Sequence, residues 1–285
     1  MTTPLERLRA RRLEVGAPLC LGIDPHPDQL PDELPRTVAG IESFARGILE
    51  AASEQAVAVK INVAFFEALG ADGWAALERV RADVPAALLC ILDAKRGDIG
   101  STAERYAAGL FGHLAADAVT LSPYLGEDAI EPFLAYPDRL VYVLARTSNP
   151  SAARLQGLPV EGEPLHLRVA RWVAGAWRDG RVGLVVGATA PEELASLRGM
   201  VPGPGFLVPG VGAQGGDLDA SVGACDGAWA PGLVSISRGI AGASQAADWR
   251  AAAARAAESV RSRMEEAVLH SKANPAQGPI TEAQG

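Results

Sequence analysis

The sequence predicts an α/β protein: a (β/α)8 TIM barrel with an N-terminal helical extension and a flexible C-terminal tail. Three observations carry that expectation. Eight short apolar runs recur along the chain, at 18–23, 56–61, 87–92, 117–121, 140–145, 182–187, 205–210 and 232–237. Most are continuously apolar, as parallel strands covered on both faces must be. Amphipathic stretches separate them, and αβ alternation implies parallel strands joined by right-handed crossovers. The rival is an open, doubly wound sheet. The strand count and the lack of a linker favour closure into a barrel.

The elements follow in order. Residues 1–16, opening MTTPLERLRARR, read as a capping helix outside the barrel proper. They lack the apolar core of a signal peptide. Helical segments are expected at 41–55, 73–84, 101–116, 127–136, 164–179, 191–200 and 217–226, with a last long helix from about Ala246 to His270. Ser101 followed by Glu104 reads as a capping box. Residues 271–285 are polar and aperiodic and read as a disordered tail, leaving one domain over 1–270.

Composition narrows the function classes. The 285 residues are 48% apolar and carry a net charge of −8. An acidic chain has no general attraction for nucleic acid or anionic membrane, so any phosphorylated ligand must be held by a local site. The uncharged stretch 199–216 is interrupted by repeated Gly and Pro and is no membrane span. Cys20, Cys90 and Cys225 are few, odd in number and scattered. Cys20 and Cys90 lie in apolar runs and read as core residues of a reducing, cytoplasmic compartment.

In such barrels chemistry sits at the C-terminal ends of the strands. Those ends hold Asp24, Lys60, Asp93-Ala-Lys95 with Asp98 just beyond, Ser122, Arg146 to Asn149, Gln214, and Ser237-Arg238. Asp24 before Pro is by itself an ordinary turn former, and Arg146 or Arg238 alone could be a surface ion pair. Lys60 inside AVAVKINVAFF is different, because a lysine in an apolar run must snorkel or find carboxylates.

The strongest local signal is DAKRGDIG at 93–100. Strand residues alternate faces, so Asp93 and Lys95 are expected to share one, with Arg96 turned away in a structural role. Unit charges about 4 Å apart attract by roughly 4 kcal/mol at an effective dielectric near 20. A lysine held by flanking aspartates is a fixed, protonated donor. Gly97 is expected to allow a tight turn between the two halves of the motif.

GVGAQG at 210–215 matches G-x-G-x-x-G, a weak pattern that a dinucleotide site places after its first strand. Here it follows the seventh run. Barrels often bind phosphate at the loops after strands seven and eight, where Gly exposes backbone N–H groups, Gln214 adds a neutral donor and Arg238 an anion clamp. A metal is not expected: His26, His113, His166 and His270 show no ligand spacing, and a cation would be repelled by Lys95.

Taken together, these residues resemble orotidine 5′-phosphate decarboxylase from Leu21 to about Ile240. The family signature D-x-K-x-x-D stands here as Asp93, Lys95 and Asp98. It is accompanied by Asp24 in LGIDP, Lys60 in VKIN, VGAQGGD at 211–217 and SRGI at 237–240. LARTSNPS and the N-terminal extension look more like the bacterial subgroup called type 2. The resemblance implies decarboxylation of orotidine 5′-phosphate to UMP in de novo pyrimidine synthesis, without metal or organic cofactor. It implies that Lys95 protonates C6 as CO2 leaves, that Asp93 lies beside the substrate carboxylate, and that Lys60, Asp93, Lys95 and Asp98 form an alternating charge network. It also implies a homodimer with shared sites, in which Asp98 and Thr102 touch the ribose of the partner's ligand. Ile99 would add an apolar contact near the ribose or base. Asp24 and Lys60 would hold ribose hydroxyls. Ser148 would read the pyrimidine edge, a role that Thr147 or Asn149 could share. Gln214 and Arg238 would hold the phosphate. Many relatives carry Gly where this chain has Ser237, which puts a backbone contact to phosphate in doubt.

Three rivals stand beside this reading. A metal-dependent sugar-phosphate decarboxylase or aldolase of the same superfamily shares D-x-K-x-x-D but carries a glutamate where this chain has Lys60. A non-catalytic phosphate-binding barrel has no need of a lysine–carboxylate network. A nicotinamide-dependent oxidoreductase would place GVGAQG elsewhere.

Overall fold

The computed structural model describes residues 2–188, 190–212 and 215–273. Eight parallel strands close a barrel: β1 (Leu19–Ile23), β2 (Ala58–Asn62), β3 (Leu89–Arg96), β4 (Ala118–Leu121), β5 (Leu140–Arg146), β6 (Val182–Val186), β7 (Phe206–Pro209) and β8 (Leu233–Ile236). Each pairs with its neighbours in chain order, and β8 returns to pair with β1, Leu19 facing Val234. All eight apolar runs became strands, because buried backbone N–H and C=O groups in this lining can be satisfied only by a continuous ladder. No edge is left to cover.

The outer layer is α1 (Pro4–Val15), α2 (Val38–Ala52), α3 (Gly70–Ala82), α4 (Gly100–Ala107), α5 (Leu165–Ala176), α6 (Pro191–Met200), α7 (Leu218–Cys225) and α8 (Trp249–Ala273). Several boundaries differ from expectation. The segment 101–116 is α4 followed by a π-helical stretch, Ala108–His113. The segment 127–136 shrinks to a 3-10 turn and a single turn, Glu131–Leu134. Ser101 is no cap: α4 starts one residue earlier, behind Ile99, with no side-chain capping bond. A two-stranded hairpin, Pro159–Val160 with Glu163–Pro164, lies between β5 and α5. Helix α8 runs three residues past His270, and residues 274–285 of the expected tail lie outside the described residues.

Helix α1 carries a capping box made by Thr3 and Glu6, and a left-handed Gly16 ends it. It lies across the N-terminal end of the barrel. Arg7 pairs with Asp117 just before β4 and donates to the Ala86 carbonyl at 3.0 Å. Arg11 donates to the Ala56 carbonyl just before β2 at 3.1 Å. Asp117 also accepts from the Cys90 N–H at 2.9 Å. This end is closed by structural ion pairs, and the opposite end is left open for a ligand. The three thiols are buried and unpaired. Burial pushes Cys20 and Cys90 up to about 12, so neither is a nucleophile near neutral pH.

Candidate active site

A cavity of about 400 Å³ opens at the C-terminal ends of the strands. Its floor is charged. Lys60 in the middle of β2 and Asp93 in the second half of β3 are buried, and the Lys60 ammonium donates to Asp93 Oδ2 at 2.7 Å. Asp24, after β1, approaches the same ammonium at 4.0 Å. The other oxygen, Asp93 Oδ1, accepts from Lys95 Nζ at 2.6 Å and from the Thr120 hydroxyl at 2.9 Å. One carboxylate is thus held between two ammonium groups. Burial opposes both charges, and the partners outweigh it. Asp93 and Asp24 hold Lys60 above the usual lysine range, while Lys60 and Lys95 hold Asp93 below the usual aspartate range.

Asp93 and Lys95 do line the same cavity, but simple strand alternation is not the whole reason. The pairing of β3 with β4 shifts register between Leu92 and Arg96. At that irregularity Lys95 takes φ 46°, a left-handed conformation uncommon for a residue with Cβ. The Thr120 hydroxyl accepts the Lys95 N–H at 3.0 Å, so the same hydroxyl holds the bulge and orients Asp93. Strain of this kind persists where surrounding contacts over-determine it. Lys95 remains half-exposed, with its ammonium directed back onto Asp93.

Arg96 turns outward, as expected. It pairs with Glu67 and lies over the Tyr106 ring at 5.2 Å. Gly97 is not a left-handed turn residue. A Cβ there would meet the Ser122 carbonyl oxygen at 3.0 Å, so the glycine serves close approach of two loops. Asp98 accepts the Ile99 N–H at 2.8 Å. Asp98, Ile99 and Thr102 are not among the cavity-lining residues. Ile99 and Thr102 are exposed and Asp98 half-exposed at the start of α4.

Thr147, Ser148 and Asn149, following β5, form one wall of the cavity. Arg146 faces away and donates to Glu193 at 2.6 Å, a structural ion pair. On another wall lie Pro209, Gly210, Val211, Ser237 and Arg238. Gly210, Gly212 and Gly215 have φ of 100°, 74° and 81°, which glycine adopts at little cost. The Arg238 guanidinium makes no salt bridge with any described residue and borders the cavity. Gln214 lies outside the described residues.

Sequence reasoning missed Thr120, Asn62 and Ser235, which also line the cavity. A signal existed for two of them: Thr120 and Ser235 are polar residues inside otherwise apolar strands. Asn62 sits beside Asp93 in the β2–β3 register. Among the described residues no group of three or more His, Cys, Asp or Glu side chains could hold a metal ion.

The model for the orotidine 5′-phosphate decarboxylase / HUMPS family matches residues 17–256. The chain belongs to this family. It is 51% identical over 246 residues to the orotidine 5′-phosphate decarboxylase of Roseiflexus castenholzii, an alignment covering 85% of this chain and 90% of the relative. Identity to the Thermomicrobium roseum orotidine 5′-phosphate decarboxylase is 47% over 267 residues, covering 91% and 94%. The Leishmania donovani OMP decarboxylase structure superposes with a TM-score of 0.78 at 42% identity, covering 91% of this chain and 98% of that one. The matched span, residues 17–256, takes in every barrel strand and therefore every wall of the cavity.

Proposed function

We propose that this chain decarboxylates orotidine 5′-phosphate to UMP and CO2, as a carboxy-lyase of pyrimidine biosynthesis. The observation that carries the reading is the Asp93 carboxylate clamped at 2.7 Å by Lys60 and at 2.6 Å by Lys95 on the cavity floor. Loss of CO2 breaks a carbon–carbon bond and leaves its electron pair at C6 of the pyrimidine. The Lys95 ammonium, already protonated and positioned, stabilises that charge and delivers a proton to C6. Water then restores the ammonium. Lys60 and Asp93 keep the donor in place and require no reorganisation during the step.

The remaining roles follow the cavity walls. Asp24 and Lys60 face the ribose hydroxyls. Ser148, with Thr147 and Asn149, faces the base. Arg238 takes the phosphate, with backbone N–H groups near Gly210 and with Gln214. Binding of the phosphate, remote from the reacting carbon, supplies orientation at C6. Asp98, Ile99 and Thr102 complete the site of a second copy in a homodimer. Their exposure on one chain supports that reading, as do the exposed side chains of Tyr106, Tyr124 and Leu125. The working protein is one domain over 1–270 in the cytoplasm, which its three free thiols suit.

Lys60 separates this reaction from the metal-dependent chemistry of sugar-phosphate relatives. Its ammonium occupies the position beside Asp93 where a metal-binding carboxylate would be needed. The test is decarboxylation of orotidine 5′-phosphate by purified protein in EDTA, followed by loss of ultraviolet absorbance. Turnover in EDTA is expected. Activity that appears only on adding a divalent metal would overturn the assignment.

A further inference from the structure

We propose that Gln156 is a positioning residue that fixes the hydrogen-bond polarity of the wall facing the base, and so favours a pyrimidine-2,4-dione over a 4-amino pyrimidine. The proposal rests on the functional reading above and extends it to a residue that does not line the cavity. Gln156 lies in a one-turn helix, Ala153–Gln156, beyond the Thr147–Asn149 wall. Its side-chain amide meets Thr147 twice. Gln156 Oε1 accepts the Thr147 backbone N–H at 2.9 Å, and Gln156 Nε2 donates to the Thr147 hydroxyl at 2.8 Å.

The direction of the first link is forced. A backbone N–H can only donate, so the Gln156 oxygen must face it and the NH2 must face the hydroxyl. The Thr147 hydroxyl receives that bond and passes its own hydrogen to Asn149 Oδ1 at 2.6 Å. Asn149 is thereby oriented with its NH2 outward. One N–H of that group reaches the Ser151 hydroxyl at 3.1 Å, and the second is available to a ligand. Asn149 and Ser148 both line the cavity.

Gln156 itself is anchored from behind. The buried His166, at the start of α5, donates from Nδ1 to the Gln156 carbonyl at 3.0 Å. The backbone N–H fixes the Gln156 amide, and the Thr147 hydroxyl, having taken the Gln156 hydrogen, orients Asn149 by donating to its Oδ1. A carbonyl on the base edge satisfies the enforced N–H donor. An amino group at the same place would oppose it, leaving a donor against a donor.

Gln156→Glu keeps the size and removes the donor. A glutamate can only accept from Thr147, so the hydroxyl hydrogen turns toward it and Asn149 loses the contact that fixed its amide. The experiment measures binding of UMP, CMP and ribose 5-phosphate to the full chain and its variants. Wild type is expected to prefer UMP over CMP. Gln156→Glu is expected to shrink that preference about tenfold with ribose 5-phosphate affinity unchanged. Asn149→Asp, at an exposed position, removes the terminal donor and must shrink it likewise, which keeps the test decisive if Gln156→Glu does not fold. An unchanged UMP-to-CMP ratio overturns the inference. So does equal loss of all three ligands, the mark of a merely structural residue. A wild-type protein with no decarboxylase activity overturns the functional reading and this inference with it.

Discussion

Lys60 and Asp93 form a 2.7 Å ion pair at the barrel mouth, with only 8% and 9% of their side chains exposed. A buried pair of this kind is held less by its own attraction than by the cost of leaving either member alone. Asp93→Asn strands two ammonium groups around a neutral amide. It is expected to lower stability by about 3 kcal/mol or more, read from urea unfolding midpoints, and to abolish turnover. A variant as stable as wild type would mean that solvent reaches Lys60.

The same pair sets a pH dependence with a definite sign. Folding lowers the Asp93 value, so its contribution is fully present above the ordinary aspartate value of 3.8 and is lost as pH falls through the depressed one. Folding raises the Lys60 value, so its contribution is fully present below 10.5 and is lost as pH rises through the raised one. Unfolding free energy measured across this range should show an acid limb below pH 3.8 that is shallower in Asp93→Asn. An identical acid limb in the variant would contradict the assignment.

Gly22 packs against Ser237, on the wall proposed to take the phosphate. A Cβ there would come within 2.6 Å of Ser237 Cβ and 3.1 Å of its Cα. Gly22→Ala must push Ser237, and Arg238 after it, away from β1. The expected cost is about 1–3 kcal/mol in stability from overpacking. Affinity for UMP should fall with little change in affinity for uridine, which lacks the phosphate. Parallel losses for both ligands would place the phosphate elsewhere.

The proposed sharing of sites across a homodimer makes a complementation prediction. Lys95→Ala and Asp98→Ala are each expected to be inactive, and mixed heterodimers to recover part of the activity, because one composite site keeps both residues. No recovery in verified heterodimers would show that Asp98 serves its own chain.

Much of the fold was legible because its signals are local. Continuous apolar runs ending in charge can hardly be anything but strands buried on both faces, and Lys60 in AVAVKIN announced a buried partner before any partner was known. What was not legible depends on contacts between strands. The left-handed Lys95 arises from a register shift against β4, and the Thr120 hydroxyl that holds it lies 25 residues further along. Ser101 and Glu104 have the spacing of a capping box, yet the chain enters α4 one residue earlier through Gly100 at φ 54°. Gln156 carried no motif at all. Its contacts with Thr147 exist only because the turn after β5 folds back on that residue.

The most direct measurement of the central claim is turnover and UMP binding by Lys95→Ala. Lys95 is half-exposed and ends in its ion pair with Asp93, so its removal should leave the fold and the binding of product largely intact. Loss of decarboxylation with UMP binding retained is the expected result. Turnover at near wild-type rate in Lys95→Ala would contradict the claim that this ammonium is the proton donor.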